Sequence, residues 1–298
     1  MEKYKVRVPE TSANLGAGFD VLGLALNIYN RFTINLIDEG VIITGCDKEF
    51  QNEHNLVYTS MKNLLDKKGY RKKTGFKIEI ETNIKECSGL GSSATCIVGG
   101  LLLGAKLLER EKIFVSKEEL IDLAIEIEGH GDNVVPAFLG ALTVIMKDKN
   151  KFIYKKVEVS KKFSFATITS NIKKESTNHL RELLKKEISL QDTVYNISHS
   201  AMTLLALQSG DIDLLKKSMK DKIHEKYRKT FIENFDIIRE KAQELNCLSL
   251  NISGSGPSLI LIYDENFKEE EFKEFLKTQK NNWIFTKCEI DEKGATYE

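Results

Sequence analysis

The sequence predicts a folded protein that contains both β-strands and α-helices. Apolar and charged residues alternate from Phe76 to Glu81, which is the period of a half-buried strand. From Thr95 to Leu108 the apolar residues repeat at helical spacing instead. The 298 residues are 41% hydrophobic and 30% charged, so a core and a soluble surface are both expected. A chain of this length folds as one large domain or as two ordinary ones.

Charge and cysteine content exclude several classes of protein. Lys plus Arg and Asp plus Glu number 44 each, so nothing in the formal charge points to nucleic acid or a membrane surface. The five cysteines are irregularly spaced and include no Cys-x-x-Cys, which argues against a disulfide framework or a zinc site. No apolar signal segment opens the chain, and no run approaches transmembrane length. We therefore expect a cytoplasmic enzyme or binding protein.

The first quarter of the chain predicts strands and one helix. A strand that begins near Tyr4 ends at Pro9, and residues 9–20 follow as a loop rich in small side chains. This loop holds the polar Asn14 and Asp20 among apolar residues, as an active-site loop does, although a plain connection is the simpler interpretation. Further strands are predicted at 32–36 and 41–44. A helix begins at Asn55, whose simplest role is the N-cap.

A glycine-rich turn lies between the strand at 76–81 and the helix at 95–108. It reads Cys-Ser-Gly-Leu-Gly-Ser-Ser-Ala-Thr over residues 87–95. Glycine allows positive φ and close approach of a ligand, and the start of a helix offers unpaired N–H groups and the positive end of its dipole. The turn therefore has the parts of a phosphate cradle, with a serine-capped helix as the alternative. It matches neither a Walker A loop nor a dinucleotide fingerprint.

The segment after this helix ends in a carboxylate at an unfavourable place. Ser116 and Glu119 form a capping box for a helix that ends at Gly129. Glu128 therefore lies at the helix C-terminus, where the dipole disfavours negative charge. A solvated helix end is one interpretation, and a functional carboxylate is the other.

The second half predicts more strands and helices around a linker at residues 147–151. Predicted strands cover 141–146, 163–169, 248–251, 259–263 and 283–290, and predicted helices cover 191–207 and 269–277. A glycine turn, Ile-Ser-Gly-Ser-Gly-Pro-Ser over 252–258, lies between two of these strands. The charged segment 222–228 has a charged amphipathic helix as its simplest interpretation.

Four of these segments together resemble the GHMP family of small-molecule kinases. The segments are 9–24, 87–95 and 252–258, in the family's order and spacing, and His-Gly-Asp-Asn at 130–133. The last is similar to the His-Pro-Asp-Asn motif of the branch whose substrate is L-homoserine. This chain departs from the family pattern by having Gly131 and Lys85 where prolines are usual.

The resemblance implies an α+β fold in two lobes. Residues 1–150 would form an N-terminal, ribosomal-protein-like, ATP-binding lobe, and residues 151–298 a C-terminal, ferredoxin-like lobe. The implied reaction is phosphoryl transfer from ATP to the side-chain hydroxyl of L-homoserine, with Mg²⁺ as the metal. The resemblance also implies a homodimer. The alternatives are a GHMP kinase for another small hydroxylated metabolite and a non-catalytic nucleotide-binding protein on the same fold.

The resemblance also assigns roles to residues. Expected nucleotide contacts are Asn55, Cys87, Ser88, Gly89, Leu90, Gly91, Ser92, Ser93 and Ala94. Expected substrate contacts are Asn14, Asp20, His130, Asn133, Thr177, Arg181, Arg228 and Gly254. Ser93 and Glu128 would hold the metal, since oxygen ligands suit a hard cation. His130, Asn133 and Glu128 are the expected catalytic residues. No side chain is expected to act as a general base, because Asn133 stands where relatives that use a base carry it.

Overall fold

The structure, a computed structural model, describes residues 3–72, 74–83, 89–149, 151–172 and 177–298. Its strands are β1 (Lys3–Asn14), β2 (Gly18–Ile37), β3 (Val41–Thr44), β4 (Gly75–Glu81), β5 (Leu142–Asp148), β6 (Lys151–Val157), β7 (Ser164–Thr169), β8 (Ser249–Ile252), β9 (Leu259–Tyr263), β10 (Ile284–Cys288) and β11 (Thr296–Tyr297). Its helices are α1 (Leu56–Lys67), α2 (Ser92–Arg110), α3 (Lys117–Glu128), α4 (Val134–Leu139), α5 (Thr177–Glu182), α6 (Leu190–Ser209), α7 (Ile212–Ser218), α8 (Glu225–Arg228), α9 (Phe235–Glu244) and α10 (Glu269–Thr278).

The first sheet has the order β11-β1-β2-β4-β3, and β5 and β6 extend it from β2. Its pairs are antiparallel except for β3 and β4. Alternate residues of the long hairpin β1–β2, such as Val8 and Ile34, are fully buried under α1 to α4. Burial of this one face fixes the register, because a slip by one residue would expose the whole set.

The strand β1 is longer than the sequence predicts. It does not end at Pro9 but continues to Asn14, so residues 10–14 are strand rather than loop. A proline donates no backbone hydrogen bond, and the register shifts between Pro9 and Glu10 as a bulge accommodates it. The polar residues of the first motif are therefore held on a rigid element.

The second sheet has the order β10-β7-β9-β8 and is antiparallel throughout. One face packs against α9 and α10. The other face contributes Ile260 and Ile262 to a core that also contains α6, α7 and the back of the first sheet, including Leu24 and Leu26. This shared core holds the two halves of the chain together.

The predicted linker at 147–151 is wrong. Asp148 pairs with Lys151, and Lys147 with Phe152, so the segment is the end of the hairpin β5–β6. Charged side chains on exposed strand ends look like a linker in the sequence. Residues 151–157 consequently belong to the first sheet, and the division into units at residue 150 stays a prediction.

The remaining sequence predictions are confirmed within one to a few residues for α1, α2, α3, α6, α10, β4 and β9. The sequence missed α4, which carries Pro136 in its first turn, where the backbone N–H has no helical partner anyway. Among the described residues only α2 is long and apolar enough to cross a membrane, contrary to expectation. However, 61% of its apolar window is buried inside the molecule, as in a core helix.

Candidate active site

A cavity of about 260 Å³ lies where the first motif, the glycine turn and the second half of the chain meet. The predicted site residues that line it are Asn14, Asp20, Asn55, Gly89, Gly91, Ser92, Ser93, Glu128, His130, Asn133, Arg181, Arg228 and Gly254. Leu90 and Ala94 are buried beside it. Cys87 and Ser88 lie outside the described residues, and so does the side chain of Thr177 at the start of α5.

One end of the cavity is built around the glycine turn. Gly91 caps α2 in the left-handed conformation, at φ 73°, and a Cβ there would lie 2.0 Å from Thr11 Oγ1. Gly89 has φ 83°, and its Cβ would lie 2.6 Å from the carbonyl oxygen of Gly256. The third motif therefore closes over the turn, and Ser253 donates to the carbonyl oxygen of Gly89 at 2.9 Å. Both glycines are required by positive φ and by this close approach.

A serine and a glutamate meet beside the first turn of α2. Ser93 Oγ donates to Glu128 Oε1 at 2.7 Å, although the two residues come from different helices. Glu128 is the last residue of α3, and Gly129 follows in the left-handed conformation. A hydroxyl and a carboxylate at a helix N-terminus form an oxygen donor set that fits a hard divalent cation.

The other end of the cavity carries paired charges. Arg181 donates to Asp20 Oδ1 and Oδ2 through two nitrogens, each at 2.7 Å, in a bidentate ion pair. These hydrogen bonds raise the pKa of the Arg181 guanidinium. Asp20 has φ 59°, and its N–H donates to Asn14 Oδ1 at 3.2 Å. The strained backbone aims the carboxylate at the cavity.

A second arginine at this end has no carboxylate partner among the described residues. Arg228 is 3% exposed, and it donates to the carbonyl oxygen of Gly254 at 2.7 Å. The Nε atom of Arg228 is buried and has no hydrogen-bond partner among the described residues. Burial is the main cause that lowers the pKa of Arg228, and the positive charge of Arg181 is the second, which brings the pKa to about 10. The group is therefore still a cation at neutral pH. A buried, unpaired guanidinium facing a cavity is a site for an anion.

A histidine–aspartate pair completes the charged end. His130 Nδ1 lies 2.5 Å from Asp132 Oδ1. Burial lowers the pKa of His130, but the hydrogen bond with Asp132 and the nearby carboxylates outweigh it and raise the pKa. Asp20, His130 and Asp132 bring one ligand atom each within 4.8 Å of one another. Arg181 and His130 already occupy these carboxylates, so a cation would have to displace one of them.

Comparisons with known proteins match both halves of the chain to one family. Residues 55–141 match the description "GHMP kinases N terminal domain", and residues 203–282 match "GHMP kinases C terminal". A homoserine kinase of Clostridium botulinum is 43% identical over 98% of this chain and 97% of its own length. This chain belongs to the GHMP kinase family.

Solved structures of the family agree with the fold. The crystal structure of homoserine kinase from Cytophaga hutchinsonii has a TM-score of 0.87 and 27% identity, and the match covers 100% of this chain and 98% of that one. The mevalonate kinase of Methanococcus jannaschii has a TM-score of 0.70 and 18% identity over 96% of this chain and 98% of its own, which shows the fold alone. The predicted α+β, two-lobed GHMP kinase fold is confirmed. As a member of a kinase family, the protein uses ATP.

Asp132 and Phe19 are among the residues of this GHMP kinase site to which the sequence assigned no role. Asp132 lines the cavity beside His130. The ring of Phe19 faces both arginines, with each guanidinium carbon 5.3 Å from the ring centroid. His224 stacks on the same ring at 5.4 Å. No local pattern marks an aromatic ring as a spacer between cations that lie 162 and 209 residues further along the chain.

Asn55 lines the cavity, but its amide is used by the fold. Its oxygen accepts from the N–H of Val57 at 2.9 Å, and its nitrogen donates to the carbonyl oxygen of Phe50 at 2.9 Å. The residue is thus the N-cap of α1. A contact with adenine stays a prediction.

Proposed function

We propose that this GHMP kinase transfers the terminal phosphoryl group of ATP to the side-chain hydroxyl of L-homoserine, giving O-phospho-L-homoserine and ADP. The observation that carries the proposal is the charge pattern at one end of the cavity. A carboxylate, a paired arginine and an unpaired buried arginine face the same space. A zwitterionic amino acid offers the two opposite charges that this pattern needs.

The substrate would exchange partners with the existing ion pair. Its α-carboxylate would bind Arg228 and Arg181, and its α-ammonium would bind Asp20. The ion pair between Arg181 and Asp20 would thus be replaced by two ion pairs with the substrate, one for each of its charges. Arg228 gains most, because its Nε is buried without a partner among the described residues. A forked guanidinium binds a carboxylate with two parallel hydrogen bonds. Binding of this kind selects substrates that carry both charges.

The opposite end would hold the triphosphate. The backbone N–H groups and the dipole at the start of α2 attract phosphate, and the glycines let it approach the backbone. Ser93 and Glu128 would hold Mg²⁺, which neutralises charge on the phosphates when it is bound. Homologous proteins named homoserine kinase, together with the match of both lobes, support this assignment.

Between the two ends, His130 and Asn133 would orient the acceptor hydroxyl. The raised pKa of His130 keeps the imidazole more protonated near neutrality, which disfavours it as a base. Phosphoryl transfer depends mainly on positioning and charge stabilisation. We infer that no side chain removes the hydroxyl proton, and that the proton passes to the phosphoryl group as the new P–O bond forms.

We infer two other properties. The protein would act in the cytoplasm and, as the family resemblance implies, it would assemble as a homodimer. We also infer that residues 1–150 and 151–298 correspond to the two GHMP domains, apart from β6 and β11, which pair in the first sheet.

The alternative substrates lack one or both of the two charges. Mevalonate is an anion without an ammonium group and a sugar is neutral, so neither offers a cation to Asp20, and a sugar would also leave Arg228 without a carboxylate partner. A non-catalytic nucleotide-binding protein would need neither Glu128 beside Ser93 nor the charged end. The amino acid therefore fits the cavity best.

The test is release of ADP from MgATP with homoserine, threonine, serine, mevalonate and galactose in parallel. We expect homoserine to have the highest kcat/KM by more than about tenfold, with a phosphate monoester on its terminal oxygen seen by ³¹P NMR. A higher kcat/KM for mevalonate or galactose would overturn the proposal, and so would ATP binding without turnover of any acceptor.

A further inference from the structure

The first motif contains a buried threonine that contacts both halves of the proposed catalytic machinery. Thr11 lies on β1 and is fully buried. Its N–H donates to the carbonyl oxygen of Leu90 in the glycine turn, at 3.2 Å. Its hydroxyl donates to Asn133 Oδ1 at 2.9 Å. One residue thus ties the phosphate-binding turn to the residue that would hold the acceptor hydroxyl.

The glycine at position 91 is part of this arrangement. A Cβ at Gly91 would lie 2.0 Å from Thr11 Oγ1 and 3.3 Å from Asn133 Oδ1. The contact with Thr11 is shorter than real Cβ atoms allow, and the contact with Asn133 is tight, so a larger residue there would disturb the hydrogen bond. The space at Gly91 serves the Thr11–Asn133 contact as well as the phosphate.

We propose that Thr11 is a positioning residue that makes Asn133 a hydrogen-bond donor to the acceptor hydroxyl. An amide has one oxygen and one NH₂ group, and the hydrogen bond from Thr11 to the oxygen of Asn133 fixes the orientation of the amide. Asn133 is 8% exposed and lines the cavity, and its side-chain hydrogen bond among the described residues is made by the oxygen. With the oxygen held by Thr11, the N–H groups of the amide are available to a ligand.

The donor role has a consequence for the reaction, and this step rests on the proposed function. A hydroxyl oxygen that accepts from Asn133 uses one lone pair for that bond and keeps the other for attack on phosphorus. Its own proton points elsewhere, toward a phosphoryl oxygen. The new O–P bond forms, the bond from phosphorus to the bridging oxygen of ADP breaks with its electron pair, and the proton ends on the transferred phosphoryl group. Each atom and charge is accounted for without a protein base.

The test compares Thr11→Val with Thr11→Ser. Valine keeps the size of threonine and removes the hydroxyl, which leaves Asn133 Oδ1 buried without a donor and free to turn. We expect kcat to fall roughly 10- to 100-fold, as for a buried group that loses its only partner, with the KM for ATP within about twofold of wild type. Serine keeps the donor, and Thr11→Ser should retain kcat within about threefold.

A matched control is available on β5. Thr143 is also fully buried, and its hydroxyl donates to the carbonyl oxygen of Gly23 at 3.2 Å, outside the cavity. Thr143→Val removes the same group from the same kind of site. We expect it to lower the thermal midpoint about as much as Thr11→Val while leaving kcat unchanged.

A double variant separates positioning from a structural role. If Thr11 acts through Asn133, then adding Thr11→Val to Asn133→Ala should cost no further activity. Multiplied losses, full kcat in Thr11→Val, or failure of Thr11→Ser to retain kcat would each overturn the proposal. The ratio of kcat in each variant to kcat in wild type is measured with whichever acceptor of the panel the wild type phosphorylates. If the wild type does not phosphorylate homoserine, the proposed function is contradicted, whereas the kcat ratios alone test the role of Thr11.

Discussion

The two ends of the cavity use different chemistry. The phosphate end consists of one continuous segment, Gly89 to Ser93, together with Glu128 from the next helix. It offers backbone N–H groups, hydroxyls and a single carboxylate. The acceptor end brings Asp20, Arg181 and Arg228 together from distant parts of the chain, and its charges are largely paired before any ligand arrives.

The difference teaches how each end selects its ligand. Backbone N–H groups and a helix dipole bind any phosphate of suitable shape, so few side chains at that end are individually decisive. Paired side-chain charges bind only a ligand that can replace both partners, since a buried charge left alone is costly. We therefore expect substitutions at the acceptor end to change specificity, and most at the phosphate end to change turnover.

The largest effect is expected at the one charged residue of the phosphate end. Glu128→Gln should lower kcat by about a hundredfold or more, because the amide is a poor ligand for the Mg²⁺ that the site is proposed to hold. The matched control is Glu126→Gln on the same helix, where the side chain pairs with Lys67 at the surface. Steady-state turnover at millimolar magnesium is the measurement. Near-normal kcat for Glu128→Gln would remove the metal assignment.

The next effect concerns the unpaired arginine. Arg228→Leu should raise the KM for homoserine by a factor that corresponds to roughly 2–5 kcal/mol, the cost of truncating one partner of a buried charge pair. The KM for ATP should change less than about threefold, because the two ends bind independently. Both constants are read from initial rates, and equal increases in both would contradict the separation of the two ends.

A carboxylate outside the cavity contrasts with those that line it because it is buried without a partner for one oxygen. Glu10 is 2% exposed on β1, its Oε1 has no hydrogen bond among the described residues, and burial raises its pKa to about 8. Because the unfolded value is near 4.5, the folded state holds the proton more tightly, and the associated stability is lost as pH rises toward 8. The free energy of unfolding should fall by about 2 kcal/mol between pH 6 and pH 8.

Glu10→Gln should remove that slope while leaving the fold intact. Urea unfolding of both proteins at the two pH values measures it. An unchanged slope in the variant would show that another group carries the pH dependence.

The smallest effect is expected at the aromatic spacer. Phe19→Leu removes the ring that faces both guanidinium groups, so their mutual repulsion is no longer offset by cation–π attraction. We expect about a tenfold increase in the KM for homoserine and little change in kcat. Phe114→Leu is the control, since Phe114 is 78% exposed. A pure loss of kcat in Phe19→Leu would argue against the spacer role.

The two ends also differ in how far the sequence predicts them. The phosphate end is contiguous, so its glycines, serines and helix start are readable as a pattern, and the helix dipole marks Glu128 as out of place. The acceptor end is assembled by folding. Arg181 and Arg228 were expected only because of the family resemblance, although Asp20 was also marked by its polar side chain in an apolar loop. Asp132 and Phe19 were missed, since their partners are set by tertiary contacts.

The same distinction explains the errors in the fold. The strand β1 passes Pro9 through a bulge whose partner residues lie on β2, which no local pattern around the proline reveals. The charged segment at 147–151 has the composition of a linker, but cross-strand pairing makes it a hairpin end. A charged composition indicates that a segment is exposed to solvent. Exposure alone does not distinguish a linker from an exposed strand, because only the cross-strand pairs define the strand.

The central claim is that the acceptor end selects a ligand with both charges, and the most direct test varies the charges of substrate and protein together. The measurement is the ratio of kcat/KM for homoserine to kcat/KM for 4-hydroxybutyrate, which lacks the ammonium, in wild type and in Asp20→Asn. We expect the wild type to favour homoserine by several hundredfold, and Asp20→Asn to reduce that ratio at least about tenfold, because the carboxylate that would bind the ammonium is gone. An unchanged ratio in Asp20→Asn would contradict recognition of the zwitterion by this end of the cavity.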